Sequence, residues 1–194
     1  MTRIGIFGGS FDPPHVGHLL AASDAAEALG LDRLVFVPAH VSPFKDGVTR
    51  TSAADRLAMV RLLVGDDPRF AVDPIEIDRE GLSYTVDTLA AYADRHPDAE
   101  LVLLVGEDVL AGFLQWRDPE RIRRLARLAV LRRSTAGELE LPEPLRADPP
   151  VMLQTRRIDV SSTEVRQRAR AGRSLRGFVP EAVAAYIERG RLYR

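Results

Sequence analysis

A motif rich in glycine and histidine follows the first β-rich run of the chain and reads Gly8-Gly-Ser-Phe-Asp-Pro-Pro-His-Val-Gly-His18. The paired glycines Gly8 and Gly9 allow the backbone to approach a bound phosphate, and the helix predicted to follow them points unpaired N–H groups at the same place. His15 and His18 lie three residues apart at that helix entrance, so both rings can face one spot. A glycine turn followed by two helix-capping histidines is the simpler interpretation. The order of these residues directly after a first strand favours a phosphate-binding loop.

A second polar motif, Ser161-Ser-Thr163, lies at the start of a helix predicted late in the chain. Ser161 and Glu164 form a capping box, which would explain the motif by structure alone. Ser162 and Arg166 lie four residues apart on one helical face, beside an N-terminus whose dipole favours anions. Hydroxyls and a guanidinium in this position suit a triphosphate group. Capping and phosphate binding are compatible, so both are predicted here.

Strand-like and helical segments alternate along the chain. Apolar residues at helical spacing predict the helices, and short apolar runs predict the strands. The predicted strands are 3–7, 34–38, an extended segment at 70–77, 101–105, 128–131 and 151–154, and the predicted helices are 16–29, 52–64, 85–95, 107–114, 119–126, 162–171 and 181–188. Surface loops are predicted at 39–51 and 138–150.

This alternation, with each strand apolar throughout, predicts an α/β fold with a Rossmann-like, doubly wound parallel sheet. A single domain is expected over residues 1–194, and the helices from about residue 162 are expected to complete the phosphate-binding site. In such folds ligands bind at the carboxyl ends of the strands, where the strand order reverses. Both polar motifs follow predicted strands, so we expect them to meet at this edge of the sheet.

The composition excludes several kinds of site and partner. None of the 194 residues is cysteine, which excludes disulfides, thiolate metal sites and cysteine nucleophiles and fits a cytoplasmic location. The formal net charge of -1 provides no general attraction to nucleic acid, and the longest apolar runs are too short to cross a bilayer. Neither a nucleic acid nor a membrane is therefore expected as a partner. The sequence leaves open whether the chain forms a homo-oligomer.

The two motifs together resemble those of the nucleotidyltransferase superfamily, which carries an H-x-G-H loop and a late S-S-T helix. Within it, the chain is similar to the bacterial nicotinate-nucleotide adenylyltransferases over essentially its whole length. The matching segments also include Ser83-Tyr-Thr85, Gly106-Glu-Asp108, Trp116, Leu131-Arg-Arg133 and Leu192-Tyr-Arg194. The resemblance implies transfer of AMP from ATP to nicotinic acid mononucleotide, giving deamido-NAD and pyrophosphate. Mg²⁺ would arrive with ATP, and no dedicated metal site in the protein is expected.

The resemblance also implies roles for residues at matching positions. His15 and His18 would contact the ATP phosphates and stabilise charge on the α-phosphate, and Arg166 would stabilise the departing pyrophosphate. Thr85 and Trp116 would surround the pyridine ring, Trp116 by stacking and cation–π attraction and Thr85 by donating hydrogen bonds to a ring carboxylate. The remaining candidate ATP contacts are Gly8, Gly9, Ser10, Phe11, Gly106, Asp108, Ser161, Ser162 and Thr163, and Lys45 and Arg133 complete the candidate mononucleotide contacts.

Some of these residues have simpler explanations. Trp116 taken alone would be interpreted as a core residue, and Thr85 as a helix cap. Lys45 is the only lysine in an arginine-rich chain, and it would contact the mononucleotide phosphate. It follows Ser42-Pro-Phe44, where many members of the family have Pro-Pro-His, so the conformation of this loop is left open.

Other functions are compatible with parts of the sequence. A nicotinamide mononucleotide or dual-specificity adenylyltransferase is left open, since nicotinamide mononucleotide differs from nicotinic acid mononucleotide only in an amide that replaces the carboxylate. A phosphopantetheine adenylyltransferase-like enzyme is disfavoured by Ser83-Tyr-Thr85 and Trp116. A class I aminoacyl-tRNA synthetase fragment would share His15-Val-Gly-His18 but would need a lysine-rich second loop and a tRNA-binding domain. A non-catalytic nucleotide-binding module is disfavoured because both histidines are present.

Overall fold

The computed structural model of the chain describes residues 1–43, 51–132, 141–156 and 158–194. The strands are β1 (Arg3–Gly9), β2 (Arg33–Pro38), β3 (Phe70–Val72), β4 (Glu100–Gly106), β5 (Arg127–Arg132) and β6 (Val151–Gln154). The helices are α1 (Val16–Leu29), α2 (Ala53–Val64), α3 (Ile75–Asp78), α4 (Thr85–Arg95), α5 (Glu107–Leu110), α6 (Pro119–Leu125), α7 (Glu143–Ala147), α8 (Ser162–Arg170) and α9 (Glu181–Arg189), with a 3₁₀ turn at Phe113–Gln115.

The six strands form one parallel sheet in the order β3-β2-β1-β4-β5-β6. Strand β1 is central, and Phe7 lies opposite Phe36 of β2 on one side and Leu104 of β4 on the other. The direction of winding reverses between β1 and β4, which is the switch point of a doubly wound sheet. The predicted α/β fold class is confirmed.

Two hydrophobic layers cover the faces of the sheet. Alternate residues of β4 divide between them, since Val102 and Leu104 pack with α1, α2, α8 and α9, whereas Leu103 and Val105 pack with α4, α6 and α7. This alternation is the two-residue period of a strand that is buried on both faces. Burial on both faces explains why the strand sequences are continuous apolar runs.

Several predicted elements match the structure residue for residue, including α1, α4 and β6. The predicted cap of α2 is also confirmed, because Ser52 Oγ accepts a hydrogen bond of 3.0 Å from the backbone N–H of Asp55. Within the described ranges, no helix combines the length and the apolar character that a membrane crossing requires.

Three predicted segments are wrong in part. The segment 70–77 does not stay extended, because the Asp73 side chain accepts a hydrogen bond of 2.9 Å from Ile75 N and helix α3 begins there. The helix predicted over 107–114 stops at Leu110 and is followed by the 3₁₀ turn. The loop predicted over 138–150 contains α7, whose Leu145 is fully buried, and residues 133–140 lie outside the described part of the chain.

Replacing Leu145 should test the contribution of α7 to the core. Leu145 has no exposed surface and packs in the same layer as α4 and α6. Leu145→Ala should lower the free energy of unfolding by about 2–5 kcal/mol, the usual cost of a cavity at a buried leucine. Urea unfolding would measure it, with Met152→Ala, at a side chain that is 38% exposed, as the control. A loss no larger than that of the control would contradict the assignment of Leu145 to the core.

Candidate functional site

A cavity of about 230 Å³ opens at the carboxyl edge of the sheet, at the switch point. Its lining includes residues 8–10 at the end of β1, Ala39 after β2 and Gly106 at the end of β4. Thr85 at the start of α4 and Trp116 line the same cavity. The structure therefore brings Gly8, Gly9 and Ser10 together with the two residues predicted to surround a pyridine ring, whereas His15, His18 and Arg166 do not line this cavity.

The two glycines of the predicted phosphate-binding motif at residues 8–18, called the phosphate loop below, serve different purposes. A Cβ atom added to Gly9 would lie 2.9 Å from the ring of Phe11, so Gly9 is required by packing within the protein. Phe11 itself is buried and has a positive φ of 48°. A Cβ atom added to Gly8 would meet no protein atom within 4 Å, although Gly8 lines the cavity. Gly8 therefore leaves room that a ligand can use.

The two histidines form a stacked pair at the start of α1. His15 is the N-cap of the helix and is buried, and the ring centroids of His15 and His18 are 3.8 Å apart. The backbone N–H of His15 donates a hydrogen bond of 3.1 Å to His18 Nδ1. In a neutral His18 ring the proton must then lie on Nε2, which makes that nitrogen a hydrogen-bond donor. The histidines therefore cap the helix, as the simpler interpretation held, and His18 still carries a donor suited to a phosphate oxygen.

Helix α8, which carries the Ser161-Ser-Thr163 motif at its start, is hydrogen-bonded to the phosphate loop. Ser162 Oγ donates a hydrogen bond of 2.8 Å to the Pro13 carbonyl, and Arg166 Nη1 donates one of 2.7 Å to the Asp12 carbonyl. Arg166 Nη2 also donates to Thr163 Oγ1 at 3.0 Å. The fold thus joins segments that lie about 150 residues apart in sequence. The guanidinium is held at the edge of the loop with its plane fixed by two contacts.

Ser161 has the capping role that the sequence predicts. Its side chain accepts a hydrogen bond of 3.1 Å from the backbone N–H of Glu164 and caps α8. Ser161 and Thr163 are exposed, whereas Ser162 is half-buried against the loop. The three residues remain candidate ATP contacts, with Ser162 already committed as a donor to the protein backbone.

Thr85 and Trp116 face the cavity in different ways. Tyr84, rather than Thr85, is the N-cap of α4, so the capping explanation of Thr85 does not hold. Trp116 is half-buried and packs against Phe113 with ring centroids 5.5 Å apart, so one part of the indole supports the core and another part reaches the cavity. The Arg117 guanidinium stacks over the Tyr84 ring at 4.7 Å and joins the two segments at the rim.

The remaining predicted residues are placed as follows. Gly106 lines the cavity as the N-cap of α5, and a Cβ atom there would collide with the carboxylate of Asp108, which is exposed. Lys45 and Arg133 both lie outside the described residues. Among the residues that the structure describes, no group of three or more histidine, aspartate and glutamate side chains is placed to hold a metal ion.

Arg56 is a site residue that the sequence analysis missed. Its side chain is 1% exposed and donates hydrogen bonds to the carbonyl of Ser10 at 2.9 Å, to that of Ala39, and to that of His40 at 2.8 Å. Burial lowers the pKa of Arg56, and the nearby Asp12 carboxylate opposes this effect. One sequence signal was present, since Arg56 stands on the apolar face of α2, three and four residues before Met59 and Val60.

Glu76 is a second missed residue. It is 6% exposed, lines the cavity and accepts a hydrogen bond of 2.7 Å from the hydroxyl of Thr88. Burial raises the pKa of Glu76, and hydrogen bonds from Thr88 and Ser83 partly oppose the shift. Ser83 in turn accepts a hydrogen bond of 2.9 Å from His40 N. The cavity wall is therefore a connected polar network, which was hidden because 70–77 was expected to be extended.

Three features together define a nucleotidyltransferase. They are the strand order, the stacked histidines after β1, and the S-S-T helix hydrogen-bonded to the phosphate loop. Residues 6–168 match the cytidylyltransferase-like family. The chain is 53% identical to the probable nicotinate-nucleotide adenylyltransferase of Gemmatimonas aurantiaca, over 99% of this chain and 92% of that protein. It is 46% identical to the protein of the same name from Thermus thermophilus, over 99% of this chain and 100% of that protein. The chain belongs to the nicotinate-nucleotide adenylyltransferase family.

Solved structures of low sequence identity share the fold. The Plasmodium falciparum nicotinic acid mononucleotide adenylyltransferase complexed with NaAD superposes with a TM-score of 0.79 at 18% identity, covering 100% of this chain and 98% of that one. The same enzyme complexed with APC gives a TM-score of 0.77 at 17% identity, with the same coverage of 100% and 98%. The α/β nucleotidyltransferase architecture is thus maintained where most side chains differ.

Stability measurements across pH should reveal the buried carboxyl of Glu76. The raised pKa means that the folded state holds this proton more tightly than the unfolded state does. The resulting stabilisation is present below the ordinary value of 4.5 and is lost as pH rises through the folded pKa. Glu76→Gln, which stays neutral and still accepts from Thr88, should therefore gain stability over the wild type as pH rises from about 5 to about 8.

Urea midpoints at each pH would measure the difference between Glu76→Gln and the wild type. The exposed Glu188 offers a matched control, because Glu188→Gln removes the same charge from the surface. If the urea midpoint of Glu76→Gln differs from that of the wild type by the same amount at every pH, the raised pKa assigned to Glu76 is contradicted.

Proposed function

We propose that this chain transfers AMP from ATP to nicotinic acid mononucleotide, releasing pyrophosphate and forming deamido-NAD in NAD biosynthesis. One observation carries the proposal: a single cavity at the switch point joins the phosphate loop to Thr85 and Trp116. The names of its relatives support the same reaction. We also propose that the enzyme acts in the cytoplasm and uses ATP with Mg²⁺ bound to the phosphates.

The two substrates approach the end of β1 from opposite faces of the sheet. The predicted ATP contacts His15, His18 and Arg166 belong to α1 and α8, which cover one face, whereas Thr85 begins α4, which covers the other. The phosphate loop passes between the faces at the switch point. A mononucleotide phosphate and the α-phosphate of ATP can therefore meet above Gly8.

The reaction requires alignment rather than a covalent intermediate. An oxygen of the mononucleotide phosphate attacks the α-phosphorus of ATP, and the bond to the pyrophosphate oxygen breaks. Donors on the reacting phosphate stabilise the charge that grows in the transition state. His18 is suited to this role because its Nδ1 accepts from the backbone, which leaves Nε2 as a donor. Arg166, held against the Asp12 carbonyl, is suited to the departing pyrophosphate.

Recognition of the ring carboxylate is proposed to come from the start of α4. The first N–H groups of an 11-residue helix and the Thr85 hydroxyl are donors, and the helix dipole favours an anion. Trp116 offers the ring an aromatic face in the same cavity. An amide in place of the carboxylate would set its own N–H₂ group against these donors.

Pyrophosphate release with ATP would test the proposed function. Nicotinic acid mononucleotide should be preferred to nicotinamide mononucleotide by about 5- to 150-fold in kcat/KM, because each mismatched buried group costs roughly 1–3 kcal/mol. Thr85→Ala should narrow this preference, and Trp116→Ala should raise KM for both substrates. Equal kcat/KM values for the two mononucleotides would instead indicate a dual-specificity adenylyltransferase. Absence of turnover with either would reject the proposed reaction.

Gly8→Ala should show whether the absence of a side chain at residue 8 is required for substrate binding rather than for folding. The added Cβ meets no protein atom within 4 Å, so folding should be unaffected or favoured by about 0.4–1 kcal/mol through the unfolded chain. The methyl group would occupy room next to the reacting phosphates, so kcat/KM should fall at least about tenfold.

Steady-state kinetics and thermal unfolding of the same samples would test Gly8→Ala. Gly112→Ala is the matched control, because its Cβ would make only an ordinary contact of 3.7 Å and Gly112 does not line the cavity. Full activity of Gly8→Ala would show that the space above Gly8 is not used by the substrates.

A further inference from the structure

Asp12 accepts hydrogen bonds from three distant parts of the chain, two at its carboxylate and one at its backbone carbonyl. Asp12 lies in the phosphate loop and is 6% exposed. Its Oδ1 accepts a hydrogen bond of 2.7 Å from the Thr51 hydroxyl and one of 2.8 Å from the Tyr193 hydroxyl. Its backbone carbonyl accepts from Arg166 at 2.7 Å. One residue of the loop is thus held through both its side chain and its backbone.

Tyr193 belongs to the segment that follows α9, within the Leu192-Tyr-Arg194 motif. Its side chain is 7% exposed, and its backbone has a φ of 68°, a conformation that non-glycine residues rarely adopt. Hydrogen bonds from Leu192 N to Ile187 O and from Arg191 N to Glu188 O fold this segment back onto α9. The unusual backbone conformation directs the phenol into the interior, where it reaches the phosphate loop.

The chemistry of the Tyr193 hydroxyl fixes its role as a donor. Burial raises the pKa of Tyr193, and the negative charge of Asp12 raises it further. The phenol therefore stays protonated at neutral pH. A carboxylate has no proton to give, so the hydrogen bond runs from Tyr193 to Asp12. A buried carboxylate that loses one of its donors must shift or rehydrate, because an unsatisfied buried charge is costly.

We propose that Tyr193 is a positioning residue for adenylyl transfer. Its hydroxyl, together with that of Thr51, holds the Asp12 carboxylate and so sets the path of the loop through Asp12, Pro13 and His15. The same stretch carries the carbonyls that receive Arg166 and Ser162. Tyr193 thereby controls how the ATP-facing groups of α1 and α8 are aligned. This inference rests on the proposed function, since it concerns the geometry of the same reaction.

Tyr193→Phe tests the proposal, because it removes the donor and keeps the ring in the core. We expect kcat/KM for ATP to fall about tenfold, which corresponds to a misplacement of well under about 1 Å. KM for nicotinic acid mononucleotide should change less than about twofold, since Thr85 and Trp116 lie on the other face of the sheet. Thr51→Val should reproduce the defect, and Thr51→Ser, which restores a hydroxyl, should relieve it.

Tyr186→Phe is the matched control. Tyr186 also donates its phenolic hydroxyl to a carboxylate, that of Asp55 at 2.9 Å, but this contact joins α9 to α2 and does not involve the phosphate loop. All variants should be assayed at one common temperature, about 15 °C below the lowest Tm among them, so that loss of folded enzyme does not contribute. We expect Tyr186→Phe to have the kcat and KM values of the wild type, even if its Tm is lower.

Binding of α,β-methylene ATP, measured by calorimetry, keeps this test separate from the proposed reaction. Tyr193→Phe should raise its Kd about threefold or more, even if the wild-type enzyme proves to use a different acceptor. Wild-type kinetics and wild-type Kd in Tyr193→Phe would overturn the proposal. Equal kinetic losses in Tyr193→Phe and Tyr186→Phe would also overturn it, because they would show a general effect of the C-terminal helix.

Discussion

A single buried guanidinium joins two of the loops that border the cavity. Arg56 donates to the carbonyl oxygens of Ser10, after β1, and of Ala39 and His40, after β2. Burying this charge costs free energy, which the hydrogen bonds from Nη1 and Nη2 and the nearby Asp12 carboxylate offset, whereas Nε has no hydrogen-bond partner among the described residues. The loops must therefore bring their carbonyls to Arg56. The shape of the phosphate loop depends on this polar requirement as well as on the packing of Phe11 in the core.

The same constraint reaches both halves of the site. His40, which is held by Arg56, donates its backbone N–H to Ser83, and Ser83 stabilises the buried carboxyl of Glu76 in the cavity wall. On the other face of the sheet, Asp12 connects the loop to α8 through its backbone. The network therefore links the cavity wall at Glu76, through His40 and Arg56, to the phosphate loop, and the loop in turn is hydrogen-bonded to α8.

The sequence predicted the helices and caps that depend on residues close to one another in sequence. Helices α1 and α4 were found residue for residue, because apolar periodicity and capping depend on near neighbours. The Ser161 cap was found for the same reason. Arg56 and Glu76 were missed because their roles arise only when separate loops come together. Helix α7 was missed because proline and acidic residues around Leu145 resemble a surface loop, whereas burial of one leucine decides the outcome.

The connectivity of the loop has a consequence for synthesis on the ribosome. The partners Ser162, Arg166 and Tyr193 follow their loop contacts by 149, 154 and 181 residues. At translation rates of roughly 5–20 residues per second, the loop waits on the order of 10 to 40 s for them. During that interval β1 also lacks β4, its second neighbour in the sheet, because paired positions such as Phe7 and Leu104 lie 97 residues apart. A nascent chain thus carries the glycine- and histidine-rich motif long before it carries the residues that hold the motif in place, and the geometry of the candidate site forms only as the fold is completed.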